Sequence, residues 1–475
     1  MVVRDERRRG AREPAERCGR GARRRALLAT DPDGERSTGS VRLAVTIAHR
    51  GVGRGETERY GEPADKAGST EDYSETRNHD ARNVARSRAG APADSGALRA
   101  TVRAMRGSVL LVGCGAIGGV IGARLSRARV AVRAVTGNPD VTAALATNGF
   151  RVRDLDGVTD VTRPTLAPVT HASELPDVER GGYDTLIVCT KSTTLAHALA
   201  SALPYIAPDA PVVVCQNGLP EELAATLVAP ARIVGCVVVW GASMTGPGDY
   251  TRTADGRFQL GRHVADGTDP APVAALLSAV APGEVVDNLA AIRWSKLAVN
   301  CATSTLGAIA GERLGTVLVR RFGRRLALEV FTEVAAVAHA SGVHPAKLAG
   351  SIDLARLSLA PRDRTVGLGS PALALKHSLL FAIGLKYRRM RSSMLIALER
   401  GRAPEIDHLN GLVCARGRTH GVPTPANDLA VATIRQLESG ALRPSMALLR
   451  SLAEQLAALP TTTPPPPPSP PTHAS

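Results

Sequence analysis

A polar stripe runs along one face of a helical segment that is otherwise apolar. Residues 290–311 have helical periodicity and place Lys296, Asn300 and Ser304 at positions i, i+4 and i+8, on one face. A buried ammonium is costly unless the lysine reaches solvent along its stem or lies at the edge of a cleft where a reaction uses its proton. The stripe therefore makes Lys296 a candidate proton donor, with Asn300 and Ser304 beside it.

Two more polar clusters follow predicted strands. The apolar strand LIVC leads directly into Lys191 in CTKS, and the strand VVVC leads into Asn217 in CQNG. In an open α/β sheet, ligands bind at the carboxyl ends of the parallel strands. Both residues are therefore candidates for lining a cleft. Taken alone, Lys191 is equally well explained as an exposed loop lysine and Asn217 as part of an ordinary turn.

A glycine motif follows the first predicted strand. The strand SVLLV is followed by GCGAIGG, which has Gly113, Gly115 and Gly118 at the spacing Gly-x-Gly-x-x-Gly, and then by a helix and a second strand. In such a unit the glycines permit a tight turn, the approach of a pyrophosphate and close helix packing. We interpret the motif as a dinucleotide site rather than a glycine-rich structural turn. The candidate cofactor-binding residues are Gly113, Cys114, Gly115, Ala116, Ile117 and Gly118.

The end of the second strand bears on which dinucleotide is bound. An NAD-preferring site places Asp or Glu there to accept hydrogen bonds from the ribose hydroxyls. This sequence reads Val135, Thr136, Gly137 and Asn138, with neither an acid nor a base. Thr136 and Asn138 carry groups that could donate to a 2′-phosphate. We therefore expect NADP(H), with Thr136 among the cofactor-binding residues.

These clusters require an α/β fold. The pattern predicts an N-terminal Rossmann-type dinucleotide-binding domain followed by an all-helical C-terminal domain, with disordered N- and C-terminal tails. The expected divisions are a disordered Arg-rich extension over 1–104, the NADP-binding domain over 105–287, the helical substrate and catalytic domain over 288–458, and a Pro-rich disordered tail over 459–475. The strand at 232–239 is expected to continue into a hairpin that closes the first domain near Asp287.

The second half of the chain is predicted to be helical. Ser392 is expected to cap a helix, and Asp407 and Asn410 are explained as polar residues on a helix surface. The expected helices cover 290–311, 313–342, 391–400, 405–420 and 424–438, with a broken region near 344–390.

Composition narrows the functional classes. The 475 residues are 44% hydrophobic, the seven cysteines are scattered singly, and no His, Asp or Glu grouping has metal-ligand spacing. No apolar run reaches membrane-helix length, and the N-terminus lacks a secretory signal, so we expect a cytoplasmic protein without a metal. The net charge of +15 suggests nucleic acid, but residues 1–104 hold 22 Lys+Arg against 16 Asp+Glu without aromatic interleaving. Nucleic-acid binding is therefore disfavoured.

Taken together, the motifs resemble those of the ketopantoate reductases (2-dehydropantoate 2-reductases). The resemblance covers most of residues 108–440 and lies in VGCGAIGG, CTKS, QNG, WSKLAVNC, SSML, EIDHLNG and HGVPTPAND. It implies that NADPH donates hydride to the ketone carbon of a 2-oxo acid, yielding D-pantoate on the way to coenzyme A. It also implies residue roles: Lys296 as general acid assisted by Glu405; Asn300, Ser304, Ser393 and Asn217 at the substrate; and Lys191, Asn217 and Glu405 along the cofactor cleft.

Departures from the family pattern keep alternatives open. Many members have Asn where this chain has Ser304, and some have Asn where it has Met390. These changes favour a second reading in which the substrate is another 2-oxo acid or a ketone. A third reading is a non-catalytic NAD(P)-binding sensor, although such a module would not need Lys296, Asn300, Ser393 or Glu405. The oligomeric state is not fixed by the sequence, which leaves a homodimer open.

Overall fold

The computed structural model describes residues 107–346, 354–364 and 370–459. The Arg-rich extension predicted over 1–104 and nearly all of the predicted tail over 459–475 lie outside the described residues. Within them, a mixed sheet with flanking helices occupies the first part of the chain, and helices alone follow it.

A seven-stranded sheet forms the first part, in the order β11-β10-β7-β6-β5-β1-β2. Its central strands are parallel and fully buried, because helices and loops cover both faces and every side chain faces a core. Only β10 runs antiparallel to a neighbour, β7. The strands are β1 Val109–Val112, β2 Val132–Val135, β5 Thr185–Val188, β6 Val212–Val214, β7 Ile233–Val238, β10 Phe258–Arg262 and β11 Gly283–Val285.

A second sheet of four strands packs over the first helix, and the sequence analysis did not predict it. Its order is β4-β3-β9-β8. Strands β8 and β9 form the expected hairpin, but they pair with β3 rather than extending the main sheet. The strands are β3 Phe150–Arg153, β4 Thr159–Thr162, β8 Gly241–Gly246 and β9 Asp249–Ala254.

Five helices accompany the two sheets. The first begins directly after the glycine motif and lies between the sheets. Asn138 caps the second by accepting a hydrogen bond from the Asp140 N–H. The helices are α1 Ala116–Arg127, α2 Pro139–Asn148, α3 Leu195–Ala202, α4 Pro220–Ala224 and α5 Ala271–Leu277.

The remaining described elements are helical and surround one long helix, α6 at Leu289–Ala310. Asn288 caps its start and Gly311 ends it in the left-handed conformation, so the helix predicted over 290–311 is confirmed. The segment predicted as one helix over 313–342 is instead broken at Arg320. The other helices are α7 Leu314–Val319, α8 Arg321–Ala340, α9 Leu354–Leu357, α10 Pro361–Arg364, α11 Pro371–Lys386, α12 Ser393–Glu399, α13 Asn410–His420, α14 Pro425–Glu438 and α15 Met446–Ala458, the last of which was not predicted.

Packing against α6 gives the helical part its core. Helices α8, α12, α14 and α15 all contact it, and the apolar side chains of these helices form one continuous cluster. As a result, α6 is held on several sides. Its polar positions Lys296, Asn300 and Ser304 are only partly buried, and Lys296 reaches the carboxyl end of β7 in the main sheet.

Candidate active site

The glycine loop has the geometry of a dinucleotide cradle. Gly113 has φ +97°, and a Cβ there would meet the Thr190 nitrogen at 2.6 Å. A Cβ at Gly118 would lie 1.9 Å from the Gly113 carbonyl oxygen, so α1 can approach the strand only without a side chain. At Gly115 a Cβ would meet nothing within 4 Å, which leaves open space in front of the first turn of α1. The first N–H groups of a helix have no partner inside the helix and bind anions, so a pyrophosphate fits in this space.

Cys114, Ala116 and Ile117 occupy this loop, but their side chains are not all available to a ligand. Cys114 is 2% exposed, and its carbonyl accepts a hydrogen bond from the Tyr250 hydroxyl at 3.0 Å. Burial raises the pKa of its thiol to about 12. Cys114 can therefore contribute only backbone to a cofactor. Tyr250, on the hairpin of the second sheet, fixes this loop and was not identified from the sequence.

Thr136 is not the accessible donor expected from the sequence. It is buried, its hydroxyl donates to the Asn138 carbonyl at 2.8 Å, and the same oxygen lies 2.6 Å from the Thr142 hydroxyl. The hydroxyl is therefore already used inside the turn between β2 and α2. Asn138 presents its amide nitrogen at this corner, because its side-chain oxygen is occupied as the α2 cap.

Lys296 points from α6 toward the end of β7. Its ammonium donates to the Val238 carbonyl at 2.7 Å, and no carboxylate of the described residues lies within ion-pair distance. Burial, followed by the charge of Arg293, lowers the pKa of Lys296 to about 8, while Glu405 acts in the opposite direction. An ammonium with such a pKa is a better acid near neutral pH than an ordinary lysine.

Three thiols contribute to the surroundings of Lys296. Val188 pairs with Val214, and Val214 with Gly235, so the next residues, Cys189, Cys215 and Cys236, lie side by side across three strands. The Cys215 and Cys236 side chains are close enough to Lys296 to act on its pKa. All six cysteines in the described part of the chain are free.

Arg293 joins the long helix to the sheet edge. It is 2% exposed and donates to the Glu221 carboxylate at 2.8 Å, to the Gln216 carbonyl at 2.7 Å and to the Val214 carbonyl at 3.0 Å. Arg293 precedes Lys296 by three residues, so this clamp fixes the turn of α6 that carries the lysine. The clamp was not predicted, because the acid and the base are 72 residues apart in the sequence.

Glu405 brings the sheet edge and the helical part together. Its carboxylate accepts from the Lys191 ammonium and from the Ser192 N–H, both at 3.0 Å. Burial alone would raise the pKa of the Glu405 carboxyl, but Lys191 and the Ser192 N–H outweigh it and lower the pKa. Glu405 is therefore a carboxylate at neutral pH.

The loop that carries Asn217 packs against the Glu405 loop. The Ser192 hydroxyl donates to the Asn217 carbonyl at 3.2 Å. At Gly218, with φ +83°, a Cβ would lie 2.5 Å from the His408 carbonyl oxygen. The contact requires glycine, and it leaves the Asn217 side chain partly exposed at the cleft.

Helix α12 docks its first turn on α6. The Ser392 hydroxyl caps α12 by accepting from the Leu395 N–H at 3.0 Å, as expected from the sequence, and donates to the Ser304 carbonyl at 2.5 Å. Ser393 follows on the exposed side, while Asn300 and Ser304 are partly exposed on α6. The structure therefore places Ser393 close in space to the polar stripe.

A buried polar network lies behind this stripe. Asn410, expected on a helix surface, is instead fully buried: it accepts from the Thr305 hydroxyl at 2.6 Å and donates to Asn427 at 2.9 Å. Asn427 in turn donates to Glu333 at 2.7 Å. The expectation for Asn410 was wrong because the local sequence is polar, while the partners that bury its amide come from two other helices, α6 and α14. Asp407 is exposed and pairs with Arg435.

Two features are absent from the described residues. No helix in that part of the chain is both long and apolar enough to cross a membrane. No grouping of three or more His, Cys, Asp or Glu side chains there has the arrangement of a metal site.

Models of two protein domains match this chain. The one described as "Ketopantoate reductase PanE/ApbA" matches residues 109–265, and "Ketopantoate reductase PanE/ApbA C terminal" matches residues 288–438. Together they span more than half of the chain. They contain the candidate site residues of both the sheet-containing part and the helical part.

Individual proteins are similar over nearly their whole length. A 2-dehydropantoate 2-reductase of Mesorhizobium japonicum is 26% identical over 352 residues, 69% of this chain and 97% of that protein. A PanE/ApbA family ketopantoate reductase of Ralstonia eutropha, known from a crystal structure, is 27% identical with a TM-score of 0.57 and covers 70% of this chain and 98% of that one. D-mandelate dehydrogenase, solved with NADH and anilino(oxo)acetate, is 22% identical with a TM-score of 0.58 over 70% and 98%, a likeness of fold. The predicted combination of a Rossmann-type domain and a helical domain is confirmed.

Proposed function

Because the chain belongs to the ketopantoate reductase family of oxidoreductases, we propose that it reduces 2-dehydropantoate (ketopantoate) to D-pantoate with NADPH. The reaction would serve pantothenate and coenzyme A biosynthesis in the cytoplasm. The observation that carries the proposal is the Lys296 ammonium, partly buried, bonded to the Val238 carbonyl and without an ion-pair partner among the described residues.

Lys296 is the general acid in this proposal. When a 2-oxo acid is reduced, charge develops on the ketone oxygen, and an ammonium within hydrogen-bond reach stabilises that charge and then gives up a proton. The lowered pKa suits this task. The hydrogen bond to Val238 directs the ammonium. Burial and the charge of Arg293 lower its pKa to about 8, and Glu405 opposes part of that lowering.

The other cleft residues bind and orient in this proposal. Asn300 and Ser304 on α6, Ser393 on α12 and Asn217 at the end of β6 offer amide and hydroxyl groups to the substrate carboxylate and hydroxyls. Lys191 and Glu405 close the side of the cleft where the cofactor would lie.

The glycine loop fits a nicotinamide dinucleotide. Gly113 to Gly118 would hold the pyrophosphate through backbone N–H groups, including those of Cys114, Ala116 and Ile117. A bound reduced nicotinamide supplies the hydride. We propose NADPH over NADH because none of the three residues that directly follow β2, Thr136, Gly137 and Asn138, is acidic, and the Asn138 amide is available as a donor. Thr136 supports that turn rather than the phosphate.

We further propose the domain division 105–287 and 288–458. The last strand ends at Val285 and α6 begins at Leu289, so the boundary lies between two regular elements. The dinucleotide would belong to the first domain. Lys296 and Glu405 would belong to the second, so the reaction needs both.

The test is NADPH oxidation by the full chain with ketopantoate, beside pyruvate, 2-oxoisovalerate and an NADH series. We expect rapid oxidation with ketopantoate and NADPH, and loss of most of that rate in Lys296→Ala. Lys386→Ala, an exposed lysine on α11, is the matched control and keeps the rate. If no oxo acid is reduced while fluorescence shows that NADPH binds, the reductase proposal fails and a non-catalytic dinucleotide sensor replaces it.

A second candidate, reduction of another 2-oxo acid or a ketone, is favoured by Ser304. A hydroxyl is shorter than the amide that many family members carry there, so the pocket has more room beside Asn300. In the same panel, a bulkier 2-oxo acid reduced with higher kcat/KM than ketopantoate would favour this candidate. Ser304→Asn would then shift the preference back toward ketopantoate.

A further inference from the structure

A second cavity lies between the start of α8 and the first half of α11, away from the residues of the proposed active site. Its volume is about 280 Å³, and it is lined by Arg321, Arg324, Leu373, Ala374 and His377. None of these lining residues is acidic. The cavity therefore presents two guanidinium groups and an imidazole over a small apolar floor.

The polar groups of this cavity are arranged as hydrogen-bond donors. Arg324 uses one terminal nitrogen to donate to the Leu318 and Val319 carbonyls, both at 2.7 Å, and its Nε donates to His377 Nδ1 at 3.4 Å. Since Nδ1 accepts, the imidazole proton is on Nε2, which is also a donor. The Arg324 guanidinium lies 5.7 Å from the ring centre of Phe381. These contacts hold Arg324 in place and leave its other terminal nitrogen without an acceptor among the described residues.

Nearby carboxylates are engaged elsewhere. On α8, Glu329 pairs with Arg325 at 2.8 Å. Asp363, packed near α11, pairs with Lys376 at 2.6 Å. Among the described residues Arg321 has no ion-pair partner. No carboxylate in the described part of the chain therefore neutralises the positive charge of the cavity.

The lowered pKa of His377 is consistent with an excess of positive charge in the cavity. Burial, followed by the charges of Arg324, Arg321 and Arg325, lowers the pKa of His377 to about 4. Arg324 is affected in the same direction by burial and by Arg321. The two guanidinium groups therefore lie near each other without a carboxylate partner among the residues that the structure describes.

We propose that this cavity binds a phosphate-type oxyanion, held by Arg321, Arg324 and His377. Guanidinium groups match the oxygens of phosphate in charge and geometry. Because the three side chains offer donors and no free acceptor, they favour an anion whose oxygens all accept over a neutral polar group. An anion bound here would offset the repulsion between the two guanidinium groups. The site is separate from the glycine loop, so its occupancy does not depend on the proposed reductase activity.

The phosphate can belong to a soluble monoester or to a lipid headgroup. The outer face of α11 exposes apolar side chains beside the cavity: Leu375 is 71% exposed and Leu379, Phe381 and Leu385 are 38%, 40% and 47% exposed. Such a face beside a cationic pocket is typical of a helix that lies on an anionic membrane surface. The chemistry at the three donors is the same for both sources.

The test follows the imidazole of His377 by NMR in the full chain, with inorganic phosphate as the probe. His377→Asn identifies the resonance. We expect saturable binding that raises the pKa of His377 by about one or more. Arg321→Gln should weaken binding about tenfold, because a charge-assisted hydrogen bond is lost.

Arg443→Gln is the matched control. It removes an exposed arginine outside the cavity and should change the affinity by less than about twofold. Absence of a saturable response at millimolar phosphate would overturn the proposal. Equal weakening in the Arg321 and Arg443 variants would overturn it too, since the anion would then be responding to net charge alone.

Vesicle binding distinguishes the two sources. Phosphatidylcholine vesicles with and without phosphatidic acid are compared with soluble glycerol 3-phosphate. Vesicle binding that needs phosphatidic acid, Arg321 and Leu379 supports the site with a lipid headgroup. Saturable binding of glycerol 3-phosphate that is unchanged in Leu379→Gln supports the site with a soluble phosphate. Vesicle binding that is indifferent to Arg321 contradicts the site, and Leu155→Gln, another exposed leucine, controls for lost apolar surface.

Discussion

Two lysines act on the same carboxylate from different surroundings. Lys191, after β5, is 60% exposed and forms an ion pair with Glu405 at 3.0 Å. Lys296, on α6, is partly buried, bonds to a carbonyl rather than a carboxylate and has a pKa lowered to about 8. The residue type is the same, but Lys191 is held by a carboxylate, whereas the pKa of Lys296 is lowered to about 8.

The partner of a lysine, and not its position at a cleft, decides what chemistry it can perform. A carboxylate partner stabilises the charged form and removes acid strength, whereas burial and the neighbouring Arg293 destabilise it. The fold supplies both settings within one site. Glu405 favours the Lys191 side through direct contact and influences Lys296 only through its field.

Replacing the two lysines should give the largest contrast. For Lys296→Ala we expect kcat with ketopantoate to fall by about 10²- to 10⁴-fold, because the proton donor is lost. For Lys191→Ala we expect a fall of less than about tenfold, since an exposed ion pair contributes little. Steady-state NADPH oxidation measures both, with Lys386→Ala as control. Similar losses in the two variants would remove the distinction drawn between them.

Breaking the clamp that supports Lys296 should chiefly affect stability. Arg293→Met leaves the Glu221 carboxylate buried without its partner and should lower the free energy of unfolding by about 3–5 kcal/mol. Urea denaturation measures the change. The matched control is the double variant Arg293→Met with Glu221→Met, which removes both charges and should recover much of the loss. A double variant as unstable as the single one would mean that the arginine acts mainly through its bonds to the backbone.

The pH dependence of the rate should report Lys296 rather than Lys191. Reduction needs the protonated lysine, so kcat/KM should be level below the pKa of about 8 and fall by up to about tenfold per pH unit above it. The profile is measured with NADPH at subsaturating ketopantoate. A rate that stays level to pH 10 would show that the acid is not this lysine.

Changing Glu405 should give the smallest but most specific shift. Its charge raises the pKa of Lys296, so Glu405→Gln should move the basic limb of the pH profile to lower pH. A shift of this sign is also a readout that a merely structural role would not produce. Glu222→Gln, which alters an exposed ion pair with Arg416, is the control and should leave the limb in place. Movement to higher pH would contradict the electrostatic link.

Local sequence was sufficient to predict the glycine loop of the site. Gly113 and Gly118 sit in a strand, turn and helix whose geometry depends on neighbours a few residues away, so the cradle could be predicted. The second sheet could not, because β4 is short and polar and β3 finds its partner β9 far along the chain. Thr136 does lie at the end of β2, but its hydroxyl is hydrogen-bonded to the Thr142 hydroxyl and is not free for a ligand. That contact depends on how α2 packs against the turn.

The part of the site around Lys296 depends on contacts between segments that are distant in the sequence. Lys296 stood out because it breaks an apolar pattern, but the Arg293 clamp and the burial of Asn410 have no local signal. The resemblance to a family supplied Glu405 and Ser393, which the spacing of residues alone does not distinguish from ordinary surface polarity.

Burial of Lys296 also makes it a thermodynamic liability. Between about pH 8 and 10.5 the unfolded chain holds a proton on this lysine that the folded chain has released. Protons therefore favour unfolding across that window, and below it the folded protein carries the full penalty of a desolvated charge. The burial that makes Lys296 a stronger acid also lowers the free energy of unfolding. Selection for greater heat resistance alone would therefore act against this lysine.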